Sequence, residues 1–256
     1  MADFIHLHNH SHYSLLDAAC TVDDLVKTTV EQGMPAFALT DHGVMFGAVE
    51  FFRKAKNAGI KPIIGNEMYM VTRGTRFDRN AAESHPEGKR HGYNHLVLLA
   101  KNDVGYHNLL KLTTLGHTEG FYYKPRIDWE LLRRHSEGLI ALTACAGGVV
   151  STYLAVGDYD AAKDVASQLK DIFGDDVYLE IQNHGLEREA IIRQGMPRIA
   201  AELDMKLIAT NDIHYVDRRH AVAHNVYLHI ADVREAEDIQ RLRYETGEYY
   251  YKSEKE

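Results

Sequence analysis

Cysteine, positive charge and long apolar runs are all scarce in this chain, and each shortage excludes something. The two cysteines, Cys20 and Cys145, lie far apart in the sequence, which excludes the disulfide framework of a small secreted scaffold and leaves each thiol to act singly. No apolar stretch approaches the roughly 20 residues that span a bilayer. The opening MADFIHLHNH has neither the basic nor the apolar region of a secretory leader, so a cytoplasmic protein without membrane contact is expected. Lys and Arg number 29 against 37 Asp and Glu, a formal net charge of −8. That balance excludes a broad basic face for sequence-independent binding of nucleic acid. A local concentration at Arg73, Arg76, Arg79, Lys89 and Arg90 still leaves a narrow groove for one strand. Three signatures of other chemistries are also missing: a Gly-rich phosphate loop, a Gly-x-Ser-x-Gly elbow and a helical His-Glu-x-x-His pair.

What is present is alternation. With 256 residues and 45% hydrophobic content the chain can build one large core, and a single α/β barrel is routine at this length. Strand-like apolar runs fall at Phe4 to His8, Ala36 to Thr40, Pro62 to Glu67, Leu96 to Ala100, Leu139 to Thr143, Val177 to Gln182 and Leu207 to Thr210. Helical patterns lie between them: TVDDLVKTTVEQG with Thr21 as N-cap and Gly33 as stop, then Ala48 to Ala58, Val104 to Leu115, Ala161 to Phe173, Glu187 to Leu203 and Ala221 to Ala231. This is the pattern of repeated βα units around a parallel sheet. The polar segment Thr72 to Gly92 reads as a long mobile loop, and the closing GEYYYKSEKE has no stop signal and no packing partner evident from sequence.

Potential metal ligands recur where these strands meet loops: His6, His8 and His10 in one run, Asp17 soon after, Asp41 with His42, Glu67, His95, Cys145, and Asp212 with His214. Any one of them alone has an ordinary reading as a helix cap, a surface histidine or a small core residue. Jointly they converge, because the loops at the C-terminal ends of barrel strands share one mouth. Residues at i and i+2 of a strand share a face, so the His6, His8 and His10 rings can all point one way; neighbours such as Asp41 and His42 cannot, and only one of that pair binds directly. His95 begins its strand instead of ending it, so an antiparallel return from Glu67 is expected to bring the two together. Mixed imidazole, carboxylate and thiolate donors suit zinc best, with manganese or iron at oxygen-rich positions. Adjacent divalent ions point to phosphate ester hydrolysis. His184, in EIQNHG, is a candidate for orienting phosphate or donating a proton, and His12 lies within reach of the cluster. In GFYYKPRID, the aromatics Phe121, Tyr122 and Tyr123 interleave with Lys124 and Arg126, a combination that can stack bases and hold phosphates of a single strand, or pack in the core with Arg126 paired to Asp128.

Through HLHNHSHYSLLD, ALTDHG, KPIIGNEMYM, NHLVLLAKN, LTACAGG, EIQNHG and ATNDIHY the chain resembles the PHP (polymerase and histidinol phosphatase) family, in particular the N-terminal PHP domains of bacterial DNA polymerase III alpha subunits. The resemblance implies a distorted seven-stranded (β/α)7 TIM-like barrel, a single domain over 1–256 with 245–256 at the junction to a polymerase core. It implies three divalent ions, zinc and/or manganese, held by His8, His10, Asp17, His42, Glu67, His95, Cys145, Asp212 and His214. His6 becomes a flanking residue and Asp41 a supporting one. The implied activity is a metal-dependent phosphoesterase, a 3′→5′ exonuclease that proofreads; on that reading Asp41 and His184 are the residues expected to assist catalysis, and Lys124 and Arg126, from their own sequence context, those expected to hold substrate. The implied partners are a single-stranded DNA 3′ end, the rest of the polymerase alpha chain and the replication holoenzyme. A small-molecule phosphatase of the histidinol phosphatase type and a silent, metal-stabilised structural module are the alternatives within the same family. The chain departs from the family pattern at Ala18, where glycine is usual, at Cys20, and in HNVYLHIADVREAEDIQ.

Overall fold

A computed structural model describes residues 4–79, 92–230, 244 and 246–256. Helices and strands alternate as the apolar periodicity implies. The first helix, α1 (Val22–Glu31), opens with a capping box in which the Thr21 hydroxyl accepts from the Asp24 amide and the Asp24 carboxylate accepts from Thr21. Gly33, in the left-handed region at φ 68°, ends it. There follow β1 (Ala36–Leu39), α2 (Ala48–Asn57), β2 (Lys61–Val71), β3 (Asn94–Ala100), α3 (Asp103–Thr118), β4 (Arg126–Asp128), α4 (Trp129–Arg134) and β5 (Leu139–Leu142). The remaining elements are α5 (Ser151–Ala155), α6 (Tyr159–Phe173), β6 (Val177–Ile181), α7 (Glu187–Leu203), β7 (Lys206–Ala209) and α8 (Ala221–His229). The short elements β4, α4 and α5 carry too few residues to show a period and are not legible in the sequence. None of the described helices is long and apolar enough to cross a membrane.

The strands form one curled sheet in the order β1-β2-β3-β5-β6-β7, with β4 beside the far end of β2. Pairing is parallel except at β3, which runs antiparallel to both β2 and β5. The gap between β1 and β7 is filled by the first histidine run. Ala38 and Thr40 donate to the His6 and Asn9 carbonyls at 3.0 and 2.9 Å on one side, and on the other His10 donates to Ile213 at 2.8 Å and Ile213 to His8 at 3.3 Å. Phe4 to His8 is therefore not the regular strand expected. Side chains interrupt the ladder: the Asn9 amide donates to the Thr40 hydroxyl, and the Asn9 side chain donates to the Ala38 carbonyl.

The largest apolar cluster lies outside the sheet, beneath α3 and α5 to α7, and includes Leu96, Leu98, Leu109, Tyr153, Leu179 and Met196. A second cluster joins α1, α2 and β1 through Leu25, Phe37 and Phe51. The barrel interior holds a small third group, Ala38, Val97, Leu99, Leu142 and Ala144.

Two expectations are corrected. The residues of the Thr72 to Gly92 loop that are described, 72–79, are pinned: Arg76 is buried and pairs with Glu119, Asp128 and Glu130. Lys89 and Arg90 lie outside the described residues. The closing segment also has packing partners, because Tyr249, Tyr250 and Tyr251 are all buried. Tyr251 stacks on Phe37 at 5.7 Å and donates its hydroxyl to Thr29, while its amide donates to the Tyr215 carbonyl. Three consecutive aromatics can bury far more apolar area than their polar neighbours suggest. Replacing Tyr251 with Ala is expected to cost about 3–5 kcal/mol in urea unfolding, and Tyr251→Phe about 1 kcal/mol. Equal stability of the Ala variant and the wild type would show that this segment does not belong to the core.

Candidate metal centre

Each expected ligand reaches the same mouth of the barrel by a different route. Asp41 and His42 follow β1, Cys145 follows β5, and Asp212 and His214 follow β7, while His8, His10 and Asp17 come from the first histidine run and the loop after it. Glu67 sits within β2, where the antiparallel register pairs Tyr69 with His95 and sets the His95 Nδ1 3.0 Å from Glu67 Oε1. The expected return is observed. Backbone strain gathers here too: Leu16, Ala144 and Asp212 adopt φ of 60°, 63° and 50°, so two ligands directly follow a left-handed residue and a third is one. Strain of this kind persists where surrounding structure imposes it, commonly at functional sites.

Three overlapping groups of donors result: His8, His10, Glu67 and Asp212; His10, His42 and His214; and His42, Glu67 and His95. Glu67 Oε2 lies 3.2, 3.0 and 2.9 Å from ring nitrogens of His8, His10 and His42. Asp212 Oδ1 lies 3.3 and 3.2 Å from the His8 and His10 Nε2 atoms. Asp17 Oδ2 meets His42 Nε2 at 2.8 Å and His214 Nε2 at 3.1 Å. Cys145 Sγ stands 3.5 Å from His95 Nδ1 and 3.8 Å from Glu67 Oε1. The decisive detail is what these atoms fail to do. His8 Nε2, His10 Nε2, His42 Nδ1, Glu67 Oε2 and Asp212 Oδ1 are buried and, among the described residues, make no aligned hydrogen bond. Buried polar atoms left unsatisfied are costly. Here they face one another as lone-pair donors around shared points, and a divalent cation satisfies them together. The donor set fits metal ions.

Electrostatics without the cation tells the same story. Burial opposes charge on His8, yet Asp212, Glu67 and Glu180 hold its pKa well above the ordinary histidine range. Burial likewise works against charge on His42, but Glu67 and Asp17 raise it to about 10. His214 is also raised, by Asp17 and Asp212 against burial. Burial would raise Asp17, Glu67 and Asp212, but the imidazoles beside them pull all three below the usual carboxylate range. Desolvation, with Glu67 and Asp212 nearby, pushes the Cys145 thiol well up, so it becomes a thiolate only when a cation arrives. Protons thus stand where metal charge belongs.

Behind the ligands lies a shell that the sequence reading largely missed. Glu180 Oε1 is 2.7 Å from His8 Nδ1 and is held in turn by Gln182 and Thr210. A buried carboxylate fixing the outer nitrogen of a ligating histidine sets its tautomer and basicity. The available signal was a lone acid inside the apolar strand VYLEI. Ser14 bridges His10 Nδ1 and Asp41, each at 2.9 Å, and accepts the His42 amide. Asp41 also accepts from the Ser11 amide and hydroxyl, and burial raises its pKa despite the charge of His10 nearby. It faces no ligand atom directly and acts through Ser14. Tyr244 donates to Asp17 Oδ1 at 2.7 Å, and His224 Nε2 lies 2.6 Å from the Asp17 carbonyl oxygen.

The other candidates separate. His6 is buried against Phe4 and Tyr251, donates to the Lys252 carbonyl, and is lowered to about 4 by burial, so it is a neutral flanking residue. His12 packs against Tyr13 and belongs to none of the three donor groups found among the described residues. His184 does not open onto the mouth as expected: both ring nitrogens are engaged, with Glu189 at 2.6 Å and the Asn211 carbonyl at 2.7 Å, and its face is covered by Tyr249 at 3.9 Å. Arg126 is likewise displaced from its expected role, being fully buried and donating to the carbonyls of Gly120, Arg76 and Asp78. Lys124 is exposed, with its ammonium 5.4 Å from the Tyr69 ring that stacks on His42. Phe121 and Tyr123 beside it are half exposed, not core residues, while Tyr122 lies beneath Arg79 and Arg126.

Fold and site together define an α/β barrel carrying, at its strand ends, a buried histidine- and carboxylate-rich donor cluster suited to divalent metal. The chain belongs to the PHP domain family, whose sequence profile matches residues 6–184. It is 44% identical over 253 residues to DNA polymerase III subunit alpha of Borreliella burgdorferi, covering 99% of this chain and 22% of that protein. To the same subunit of Aquifex aeolicus it is 46% identical over 226 residues, covering 88% and 19%. The chain therefore spans about a fifth of the length of these relatives. Among solved structures it resembles an amidohydrolase from Chromobacterium violaceum with bound sulfate and no metal, with a TM-score of 0.51 and 16% identity, covering 82% of this chain and 87% of the other. That likeness shows the fold alone.

Two outcomes follow for the centre. Glu180→Ala should weaken metal affinity by about 10–100-fold in equilibrium dialysis while leaving the far-ultraviolet circular dichroism unchanged. A raised histidine pKa contributes stability that is full below about 6.5, the unfolded value, and is lost as pH rises through the folded value, about 10 for His42. The chelator-treated chain should therefore become less stable from pH 6.5 toward 10, while stabilisation by added zinc grows over the same interval as protons cease to compete. Parallel pH profiles with and without metal would contradict this.

Proposed function

We propose that this chain is the metal-dependent phosphoesterase domain of a bacterial replicative DNA polymerase, acting as a 3′→5′ exonuclease that trims single-stranded ends in proofreading. One observation carries the reading: His10, His42 and Glu67 are each shared between donor groups, so the ions held there are neighbours, as a phosphodiester clamp requires. We read the three groups as three ions, zinc or manganese, with iron also suited to the donors. Such ions supply Lewis acidity toward the phosphodiester and lower the pKa of water toward neutrality.

The chain's own residues do the rest. Glu180 and the Ser14–Asp41 pair hold His8 and His10 in fixed orientations, so the donors need not reorganise during reaction. Lys124 offers a cation to a phosphate at the edge of the mouth, and exposed Phe121 and Tyr123 offer faces on which bases stack. Together these act as a local strand contact on a chain of net charge −8, without a broad basic face. Arg126 and Arg76 support that contact from beneath by fixing the loops. We read DNA, not small phosphate esters, as the substrate and a cytoplasmic replication complex beside the remainder of a polymerase chain as the setting, a reading that the similarity to polymerase alpha subunits supports.

Purified chain loaded with manganese or zinc should release mononucleotides from a 5′-labelled single-stranded oligonucleotide, and His8→Ala or Asp212→Ala should reduce release to background. Lys124→Glu should raise KM for the oligonucleotide several-fold with little change in kcat. Release that persists in both ligand variants would exclude this centre. Hydrolysis of a phosphate monoester without attack on DNA would favour a small-molecule phosphatase, and a metal-loaded chain that hydrolyses neither would favour a structural module.

A further inference from the structure

The end of the barrel opposite the metal centre is hollow. Barrel interiors of this type are normally filled by layers of branched side chains. Here the middle of the lumen is filled by small residues such as Ala38 and Ala144 with Val97 and Leu142, and below them a cavity of about 860 Å³ opens. Its inner wall is apolar, formed by Leu7, Ile63, Leu99, Leu142, Tyr178 and Ile208. The strands show the consequence. In β5, Leu139 and Ala141 are fully buried against the helices while Ile140, facing the cavity, is only half-buried; in β6, Val177 and Leu179 are buried while Tyr178 is half-buried. Apolar surface turned inward and still wet is unfavourable unless something covers it.

The rim is not apolar. Arg53 and Lys61 border the opening, both are exposed, and neither has a carboxylate partner among the described residues. Lys101, also on the rim, is paired with Asp176. The rim acid Asp103 sits in the first turn of α3, where the helix dipole offsets its charge. A half-open, largely apolar chamber within the usual size range of ligand sites, roughly 300–1,000 Å³, with two cations at its entrance that have no carboxylate partner among the described residues, suits an amphiphile with an anionic head. We propose that this chamber binds a fatty-acid carboxylate, its alkyl chain in the barrel lumen and its carboxylate between Arg53 and Lys61. The site lies on the far side of the lumen packing from the metal ions, and Leu7, which lines it, directly precedes the ligand His8.

Calorimetric titration of the 256-residue chain with octanoate, decanoate and dodecanoate, each below its critical micelle concentration, tests this. Binding should be saturable at one per chain and tighten roughly three- to fourfold per added methylene. Arg53→Glu with Lys61→Glu should weaken dodecanoate about tenfold but leave dodecanol unchanged. Ile63→Trp, which fills the chamber, should abolish binding; should that variant not fold, the chain-length series and the charge variants decide the question alone. Absence of saturable binding, affinity independent of chain length, or indifference to the charge reversals would overturn the proposal. So would loss of binding on treatment with a chelator, which would put the carboxylate at the metal centre instead.

Discussion

The structure depends on how its ring is closed. Six consecutively paired strands leave β1 and β7 without each other, and among the described residues the segment from His6 to His10 bridges their backbones, through bonds to Ala38, Thr40 and Ile213. An open sheet of this curvature would leave two unpaired edges and no shared mouth. Closure by the histidine run means that the segment completing the barrel also supplies its first ligands. Stability and site assembly are thus one event: whatever loosens residues 6–10 opens the sheet and scatters His8 and His10 together.

That economy has a cost in charge. Histidines and carboxylates are packed at about 3 Å and largely buried, an arrangement that stays neutral without metal only if imidazoles carry protons. Protonated rings satisfy the net charge but not the hydrogen-bond directions, since five of the converging atoms have no aligned partner among the described residues. A cation meets both requirements, because its attraction has no fixed direction and its charge replaces the protons. The left-handed residues beside the ligands belong to the same balance: burial of Ala144 and Asp212, and a hydrogen bond from the Leu16 amide to the Tyr227 hydroxyl, hold geometry that the local chain does not prefer.

The two ends of the lumen contrast. At one end polar atoms are crowded beyond what protein partners can satisfy, and at the other apolar side chains face space that none of the described residues fills. Both are departures from a packed barrel core, and both are places where local consistency yields to something outside the chain. Between them lie Ala38, Val97, Leu142 and Ala144.

Much of this was legible in the sequence by itself. The periodicities located most strands and the longer helices, the Thr21 cap and Gly33 marked α1 to the residue, and ligand types at strand ends announced a metal centre because barrel topology gathers those ends whatever their separation. Even the return from Glu67 to His95 followed from where His95 stands in its strand. Tertiary structure alone decided the rest. Glu180 is one acid in an apolar strand until packing sets it behind His8; His184 and Arg126 have the residue types of a catalytic site, and only the partners waiting at Glu189, Asn211, Gly120 and Asp78 turn them inward. The three closing tyrosines look unattached until the surfaces of Phe37, His184 and Tyr215 are assembled beside them. The physical reason is common to all of these: sequence spacing specifies which face of its own element a side chain occupies, whereas its partners come from elements far along the chain, and hydrogen bonds and burial are settled only when those elements meet.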